Sequence, residues 1–559
     1  MKFFSKYKTS VSPEDLSDRQ EGKKQRRKDR LLLILSGLLL GISFTPFPFP
    51  FTLLIFIGLV PYFAVIKRRT TLASISKATF LFSFIFSIIT IYWVGSWSSE
   101  ADPFLMMAGA ALLLAYPCVL LIPSTLFYLA RKVFPKFDAL WLFPIFWVTL
   151  EYMLTLTDLR FPWLLLGHGL AKFNLFIQGA DIIGTNGLSL VTVFINLLLY
   201  KSFFEKRESA KYNLRPALIA AFIFLSLLIY GIYKVSSFKI SEKKVTVGIV
   251  QPNLDPWDKW STGNLGQLTK SYLNLSRKCV SEGAEIILWP ETALPVYAFG
   301  GTYSIIEDSI FNFINRNDVS LLTGMPDIVY YNQGQKIPED AKYTKQGNYY
   351  YATYNAVLGL NPESRKIQRY GKMKLVPLGE RVPFVDQFSF LGDFFKWGVG
   401  ITGWNIGKDT TVFKIFNSRL DTIKVGGLVC YESVDPVFVS AFIQKGAEMI
   451  TVVTNDSWYG KSSGPYQHKD FAMLRAVENR RSVVRCANSG VSCIINAKGE
   501  ILEETEMFTK TYLVGEVPLQ EEKTFYTKNP LIIPILCSVF SFWIFGINIL
   551  IWLKNKFKM

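Results

Sequence analysis

Polar and apolar positions give the chain two textures. Long apolar runs separated by short polar stretches fill residues 31–234, and one more lies near the end. Between them, from 240 to 525, the runs shorten to strand length and end in turn or polar residues. A helix needs about 20 apolar residues to cross a bilayer. Eight runs approach or exceed that length, at 31–45, 50–66, 79–96, 104–130, 139–156, 183–200, 215–234 and 530–553. The first is short and extends through "SFTPFPFPF"; the fourth contains Pro117 and Pro123 and is expected to kink, which neighbouring helices tolerate. Polar residues precede the first run and no small-residue cleavage site follows it, so no cleavable signal peptide is expected. The charged tail 1–30 is expected to be disordered.

The central region reads as α/β. "KVTVGIVQPN" (244–253), "AEIILWPE" (284–291), "VSLLTGMPD" (319–327), "YNAVLGLNPESRKIQRYGK" (354–372), "IKVGGLVCYES" and "AEMITVVTNDSWYG" (447–460) each offer an apolar strand that ends in polar residues. Residues 464–482 read as a helix entered through Gly-Pro, and "VVRCANSGVSCIINAKGEIL" as a hairpin turning at Ser489-Gly490. A two-residue turn there sets Cys486 opposite Cys493. Two reduced core thiols are expected; a disulfide is the alternative that an oxidising compartment permits. The pattern therefore predicts a polytopic α-helical membrane bundle of about eight spans joined to an α/β domain. Its divisions are a basic tail at 1–30, seven spans within 31–239, the α/β domain at 240–525, and an eighth span with a basic end at 526–559.

Composition agrees with that division: 559 residues, half of them hydrophobic, exceed one compact domain and are too apolar for an ordinary soluble one. Charge adds orientation. "KKQRRKDR" in the tail, "KRR" (67–69), "RKVFPK" (131–136), "KSFFEKRESAK" (201–211) and "KNKFKM" at the end carry nearly all of the formal net charge of +17, whereas "SWSSEADP" (96–103) is poor in basic residues. All five fall on one side if seven spans precede the α/β domain and one follows it. Basic loops face the cytoplasm, which places the α/β domain outside it. A nucleic-acid surface would need this charge on the folded domain, so no nucleic-acid partner is expected.

Three predicted strands end in chemically useful residues. Glu291 closes "IILWPE", Lys372 follows the strand ending at Tyr370, and Cys430 closes "GGLVC". Side chains at the carboxyl ends of such strands converge on one rim. A carboxylate can take the thiol proton, the thiolate can attack a carbonyl, and an ammonium can stabilise the oxyanion. Lys374 rivals Lys372, and the spacing to "LVPLGE" favours Lys372. Asn455 and Asp456 follow a strand and suit a turn, and Asn455 is also a candidate substrate-binding or supporting residue. His168 and His468 are too few and too far apart for a metal site, and His168 suits packing beside a span; no metal or cofactor is expected. The segment "VPFVDQFSFLGDFFKWGVGITGW" (382–404) sets Phe394, Phe395 and Trp397 among glycines. It reads as a flap through which lipid reaches the thiol, or as aromatic packing against the domain.

"WPETALP", "YGKMKLVPLGERVP", "GLVCYES" and "TNDSWYG" resemble the Glu, Lys and Cys blocks of the nitrilase, or carbon–nitrogen hydrolase, superfamily. With the flanking spans and "LRFPWLLLGH" (159–168), the whole chain resembles the apolipoprotein N-acyltransferase family. The resemblance implies an αββα sandwich on a membrane bundle in the bacterial inner membrane, with the sandwich on the periplasmic side. It implies a phospholipid acyl donor, an apolipoprotein acceptor whose diacylglyceryl-cysteine amine is acylated, and a ping-pong reaction through a thioester. A monomer is expected. By position, it makes Cys430 the nucleophile, Glu291 the general base and Lys372 the oxyanion group. Glu380 becomes a supporting carboxylate, Tyr431 and Glu432 follow the nucleophile, and Trp260 matches an aromatic at the substrate entrance. Lys374 departs from the histidine common in "K-x-H-L", and Leu378 from the Phe usual in "PFGE". Two other readings stand beside it. One is a membrane-anchored amidase using the same three residues, although a small soluble amide needs no membrane scaffold. The other is a lipoprotein-binding or transport protein with an inactive hydrolase domain, against which the intact Glu, Lys and Cys argue.

Overall fold

The structure is a computed structural model that describes residues 13–97, 103–205, 212–255, 264–332, 335–345, 347–385, 387, 403–416 and 421–557. Among these, six helices are long and apolar enough to cross a membrane: Leu72–Gly95, Leu105–Val133, Ala139–Leu156, Ala180–Phe203, Leu214–Ser237 and Ile532–Phe557. The second breaks at Leu120, between Pro103–Val119 and Leu121–Val133, with Pro117 inside the first piece and Pro123 opening the second. Missing proline N–H groups account for that kink.

Two of the eight expected spans take another form. The run 31–45 is the second half of one helix, Pro13–Ile42, that begins within the basic tail. Residues 13–30, expected to be disordered, are therefore helical: Lys, Arg, Glu and Gln favour helix, and the apolar half anchors them. Gly37 and Gly41 let that half lie against Leu72–Ile91; a Cβ on either would fall 2.7 Å from Ile85 Cβ or 2.8 Å from Ile89 Cβ. Small residues one turn apart allow such close backbone approach. The run 50–66 divides into a 3₁₀ turn, Phe51–Phe56, and a short helix, Val60–Ile66. Both departures precede the α/β domain.

Basic loops collect at one end of the bundle. Arg68 and Arg69 pair with Asp29, Lys67 and Lys201 with Asp138, and Arg131 Nη1 donates to the Arg69 carbonyl at 2.6 Å. The α/β domain caps the other end. Its first sheet runs β13-β1-β2-β3-β5-β4, with β6 also on β5, from β1 (Lys244–Gln251), β2 (Ile286–Trp289), β3 (Ser320–Tyr331), β4 (Lys342–Thr344), β5 (Tyr349–Leu360), β6 (Gln368–Gly371) and β13 (Thr511–Pro518). The second runs β12-β11-β10-β9-β8-β7, from β7 (Val412–Phe416), β8 (Thr422–Val429), β9 (Met449–Thr454), β10 (Ser482–Ala487), β11 (Cys493–Ile495) and β12 (Ile501–Glu504). Both centres are parallel, β1-β2-β3 and β8-β9-β10. Val247, Ile249, Ile286 and Leu288 of one sheet share a core with Val425, Val452 and Val484 of the other. Helices Leu265–Ser281 and Ser304–Asn317 cover the first sheet. Pro436–Gln444 and Gly464–Asn479 cover the second, which completes four layers, αββα.

Helix Gly464–Asn479 is also the joint to the bundle. Its Gln467 Oε1 accepts from Trp163 Nε1 at 2.8 Å and Trp93 Nε1 at 3.2 Å, and its Nε2 donates to the carbonyls of Thr45 and Thr90. Glu478 accepts from the Thr185 amide and hydroxyl at 2.8 and 2.6 Å, and Arg480 pairs with Asp181 at 2.7 Å. At β10 and β11, Cys493 stands opposite Arg485, not Cys486. The connection is longer than two residues, and Cys486 Sγ points between the sheets, 3.5 Å from the Val250 and Leu288 carbonyls. Both thiols are buried and unbonded to other sulfurs.

Gly184 interrupts Ala180–Phe203 with φ 63° and ψ 179°, a region open essentially to glycine, and a Cβ there would fall 2.2 Å from the Tyr526 ring. Gly184→Ala is expected to destabilise the protein by about 1–3 kcal/mol through overpacking and strain. Gly266→Ala, whose Cβ meets only Asn264 Oδ1 at 3.9 Å, should leave the melting temperature in detergent unchanged.

Candidate active site

Polar side chains at the carboxyl ends of β2, β6 and β8 meet between the sheets. Glu291 lies just past β2, Lys372 just past β6, and Cys430 just past β8. Lys372 is fully buried, and its Nζ contacts Glu380 Oε1 at 2.8 Å and Glu291 Oε1 at 3.4 Å. Asn355 of β5 donates its Nδ2 to the same two carboxylates, at 2.7 Å to Glu291 and 2.9 Å to Glu380. The second Glu291 oxygen accepts from the Asn455 amide at 3.0 Å, and the second Glu380 oxygen from the Val376 amide at 2.8 Å. Burial alone would pull the Lys372 ammonium toward neutrality, but Glu380 and Glu291 outweigh it and hold its pKa above the ordinary lysine value.

Cys430 is half-buried and begins a 3₁₀ turn, Cys430–Val434, in a left-handed backbone with φ 52°. Burial raises its thiol pKa above the ordinary cysteine value and the Glu291 carboxylate adds to this, while Lys372 opposes both. Glu432, two residues on, ties the cysteine turn to the lysine loop. It accepts from the Val429 amide at 2.9 Å, the Tyr370 hydroxyl at 2.7 Å, and the Met373 and Lys374 amides at 2.7 and 3.1 Å. Burial raises the Glu432 pKa against these donors.

The structure thus brings Glu291, Lys372, Cys430, Glu380, Glu432 and the Asn455 backbone into one cluster. Tyr431 lies elsewhere: its hydroxyl donates to the Arg160 carbonyl at 2.8 Å and its ring stacks near Trp163, 6.3 Å between centroids, against the bundle. The Asn455 side chain is locked by Ser457 and Asn488 at 2.7 and 3.1 Å. Lys374 points away, with Nζ 3.9 Å from Asp435 and over the Phe438 ring. His168 stacks on Phe471, as a packing residue does. Trp260, Phe394, Phe395 and Trp397 lie outside the described residues.

Two elements beside the cysteine were not assigned to the site from the sequence, where Asp456 suits a turn and His468 has no role. Asn355 bridges both carboxylates, and its only signal is an amide inside the apolar run of β5. Asp456, His468 and Arg485 form a second buried group beside the cysteine. Burial works against the Asp456 carboxylate, yet Arg485 and His468 hold its pKa at about 2. Donor atoms of Cys430, Asp456 and His468 lie within 4.8 Å of one another, spacing compatible with a cation. Arg485, however, already pairs with Asp456 and lies 3.1 Å from His468 Nδ1, so a fixed guanidinium opposes a metal ion there.

Comparison with known proteins agrees with both halves of this architecture. Residues 246–525 match the carbon-nitrogen hydrolase family, and residues 36–198 match the apolipoprotein N-acyltransferase N-terminal domain. An apolipoprotein N-acyltransferase of Chlorobaculum tepidum is 32% identical over 516 residues, spanning 91% of this chain and 94% of its own. The apolipoprotein N-acyltransferase of Geobacter metallireducens is 30% identical, spanning 90% and 92%, and that of Rickettsia prowazekii 28%, spanning 88% and 92%. Bundle and sandwich are matched together, in one order and over nearly the full length of these relatives, and the chain therefore belongs to the apolipoprotein N-acyltransferase family.

Proposed function

We propose that the protein transfers an acyl chain from a phospholipid to the amino terminus of a diacylglyceryl-cysteine apolipoprotein, through a thioester on Cys430. The observation that carries this reading is the buried Glu291–Lys372–Glu380–Asn355 cluster beside Cys430, on a sandwich seated directly on an apolar bundle. Glu291 takes the thiol proton, and the thiolate attacks the ester carbonyl. Lys372 faces the oxyanion of the tetrahedral intermediate. Collapse breaks the ester C–O bond, and Glu291 returns the proton to the departing alkoxide, which leaves as lysophospholipid. In the second half, the acceptor amine attacks the thioester, Glu291 takes its proton, and the Cys430 thiolate leaves and is reprotonated. A thiol whose pKa burial raises suits this order, because it ionises only as the base takes its proton.

The basic loops lie at the end of the bundle opposite the sandwich, which supports a cytoplasmic face for them and a periplasmic face for the site. Exported lipoproteins and outer-leaflet lipid would then meet the cysteine on one side of the membrane.

Mass spectrometry of the purified protein should find a long acyl chain on Cys430. Cys430→Ala should abolish transfer with the protein still folded and inserted, and Glu291→Gln should prevent the adduct. Lys372→Ala should slow acylation about 10²–10³-fold, with an added loss of stability because Glu291 and Glu380 lose their shared cation. A Cys430→Ala protein that still acylated an apolipoprotein would end this mechanism. Alkylation of Cys430 by a small soluble reagent gives the electrostatic sign. Glu291→Gln should move the midpoint of its pH–rate curve down, and Lys372→Met should move it up; unchanged midpoints would contradict the coupling. Reporter fusions at Glu205, Gly300 and Lys556 should read in, out and in, and a cytoplasmic signal at Gly300 would overturn the orientation.

A further inference from the structure

The Cys430 turn is held from two sides. On the amide side, the Val429 N–H donates to Glu432. On the carbonyl side, three polar atoms close a triangle. Ser433 Oγ donates to the Cys430 carbonyl oxygen at 2.8 Å, His468 Nε2 lies 3.1 Å from that oxygen, and Nε2 and Ser433 Oγ are 2.8 Å apart. With a proton on Nε2, in the neutral or the doubly protonated ring, His468 donates to the nucleophile's own carbonyl. A non-glycine residue in the left-handed region persists only where its surroundings hold it, and Cys430 is such a residue, with φ 52°.

The ring is itself fixed. Asp456 Oδ1 and Arg485 Nη2 face Nδ1 at 3.0 and 3.1 Å, and Asp456 is paired with Arg485 and accepts from Thr454 Oγ1 at 3.0 Å. The Trp163 ring, from the bundle, lies 5.6 Å away, and Gln467, the preceding residue, bonds Trp163 and Trp93. The charged groups facing the imidazole are thus Asp456 and Arg485 at one edge and Cys430 at the other, with an uncharged indole beside it.

We propose that His468 is a positioning residue for the acyl-transfer reaction: its Nε2 edge pins the Cys430 carbonyl, keeps the thiol in reach of Glu291 and Lys372, and is set in place by the membrane bundle through Trp163 and Gln467. This rests on Cys430 being the nucleophile. The consequence is that the bundle does more than bring lipid. Its aromatic residues seat the side chain that holds the nucleophile's backbone.

Two amide substitutions separate the edges of the ring. His468→Gln places an amide near Nε2, within reach of the Cys430 carbonyl and Ser433. His468→Asn places one near Nδ1, within reach of Asp456 but short of the carbonyl. Rates of Cys430 acylation by phospholipid and of its alkylation by a small reagent, each across pH, are read on the full-length protein in detergent, with melting temperature as the fold control. His468→Asn should slow acylation about tenfold or more, as a buried acceptor loses its donor, and should displace the alkylation pH profile. His468→Gln should restore both to near the parent values. Ser433→Ala, a smaller change, should slow acylation less than His468→Asn. If Asn performs as well as Gln, or if both leave acylation and the profile unchanged, His468 serves the Asp456–Arg485 packing and the inference fails. Should His468→Asn not fold, Ser433→Ala with unchanged acylation and profile would overturn it equally. A parent protein whose Cys430 is alkylated normally but never acylated would instead refute the proposed function.

Discussion

A lysine ammonium with no access to water cannot stand alone, and Lys372 has none. Isolated burial of such an ion costs so much that it would neutralise or unfold its site. Here two carboxylates, Glu380 and Glu291, meet it from separate segments, and the Asn355 amide joins them. Each anion in turn takes a backbone N–H. The four groups come from the end of β2, the middle of β5, the end of β6 and the loop after it, so the charge requirement fixes the relative placement of those segments. The cysteine is then presented to a cluster that is already complete, and Glu432 locks its turn to the Met373 and Lys374 amides that follow the lysine.

The joint between sandwich and bundle follows the same logic of compulsory partners. Gln467, Arg475 and Glu478 are buried on one helix and Arg480 directly follows it, and each finds its partner on the membrane segments or on a neighbouring residue of the helix. Buried polar groups demand matched geometry, so the two halves meet in one orientation. Around these contacts Trp93, Trp163, Tyr431, Phe471 and His168 pack into an aromatic layer. That layer explains why Tyr431, adjacent to the cysteine, serves the interface and lies outside the charged cluster.

Much of this was legible in the order of residues because strands advertise their ends. Glu291 and Cys430 each stop an apolar run, Lys372 follows the short strand β6, and the carboxyl ends of strands in such sheets share a rim. Runs of apolar residues likewise marked the helices, and Pro117 and Pro123 marked a break. Less legible were features decided by tertiary context. The tail residues 13–30 become helical because an apolar half anchors them through Gly37 and Gly41. The run 50–66 has nearly enough apolar residues to span, but it breaks into two short pieces. Asn355 and His468 look like ordinary polar residues in a strand and a helix, and only the approach of separate segments gives them partners. The pairing of β10 with β11 placed Arg485, not Cys486, across from Cys493 because the connecting loop is wider than a tight turn.

The last membrane helix, Ile532–Phe557, returns to pack on Phe143–Leu156, where Thr149 and Ser541 hydroxyls meet at 2.7 Å. The ribosome delivers it only after the entire sandwich has been made. That flank of the bundle therefore joins a helix made before the sandwich to one made after it, and its packing depends on chain segments separated by the whole α/β domain.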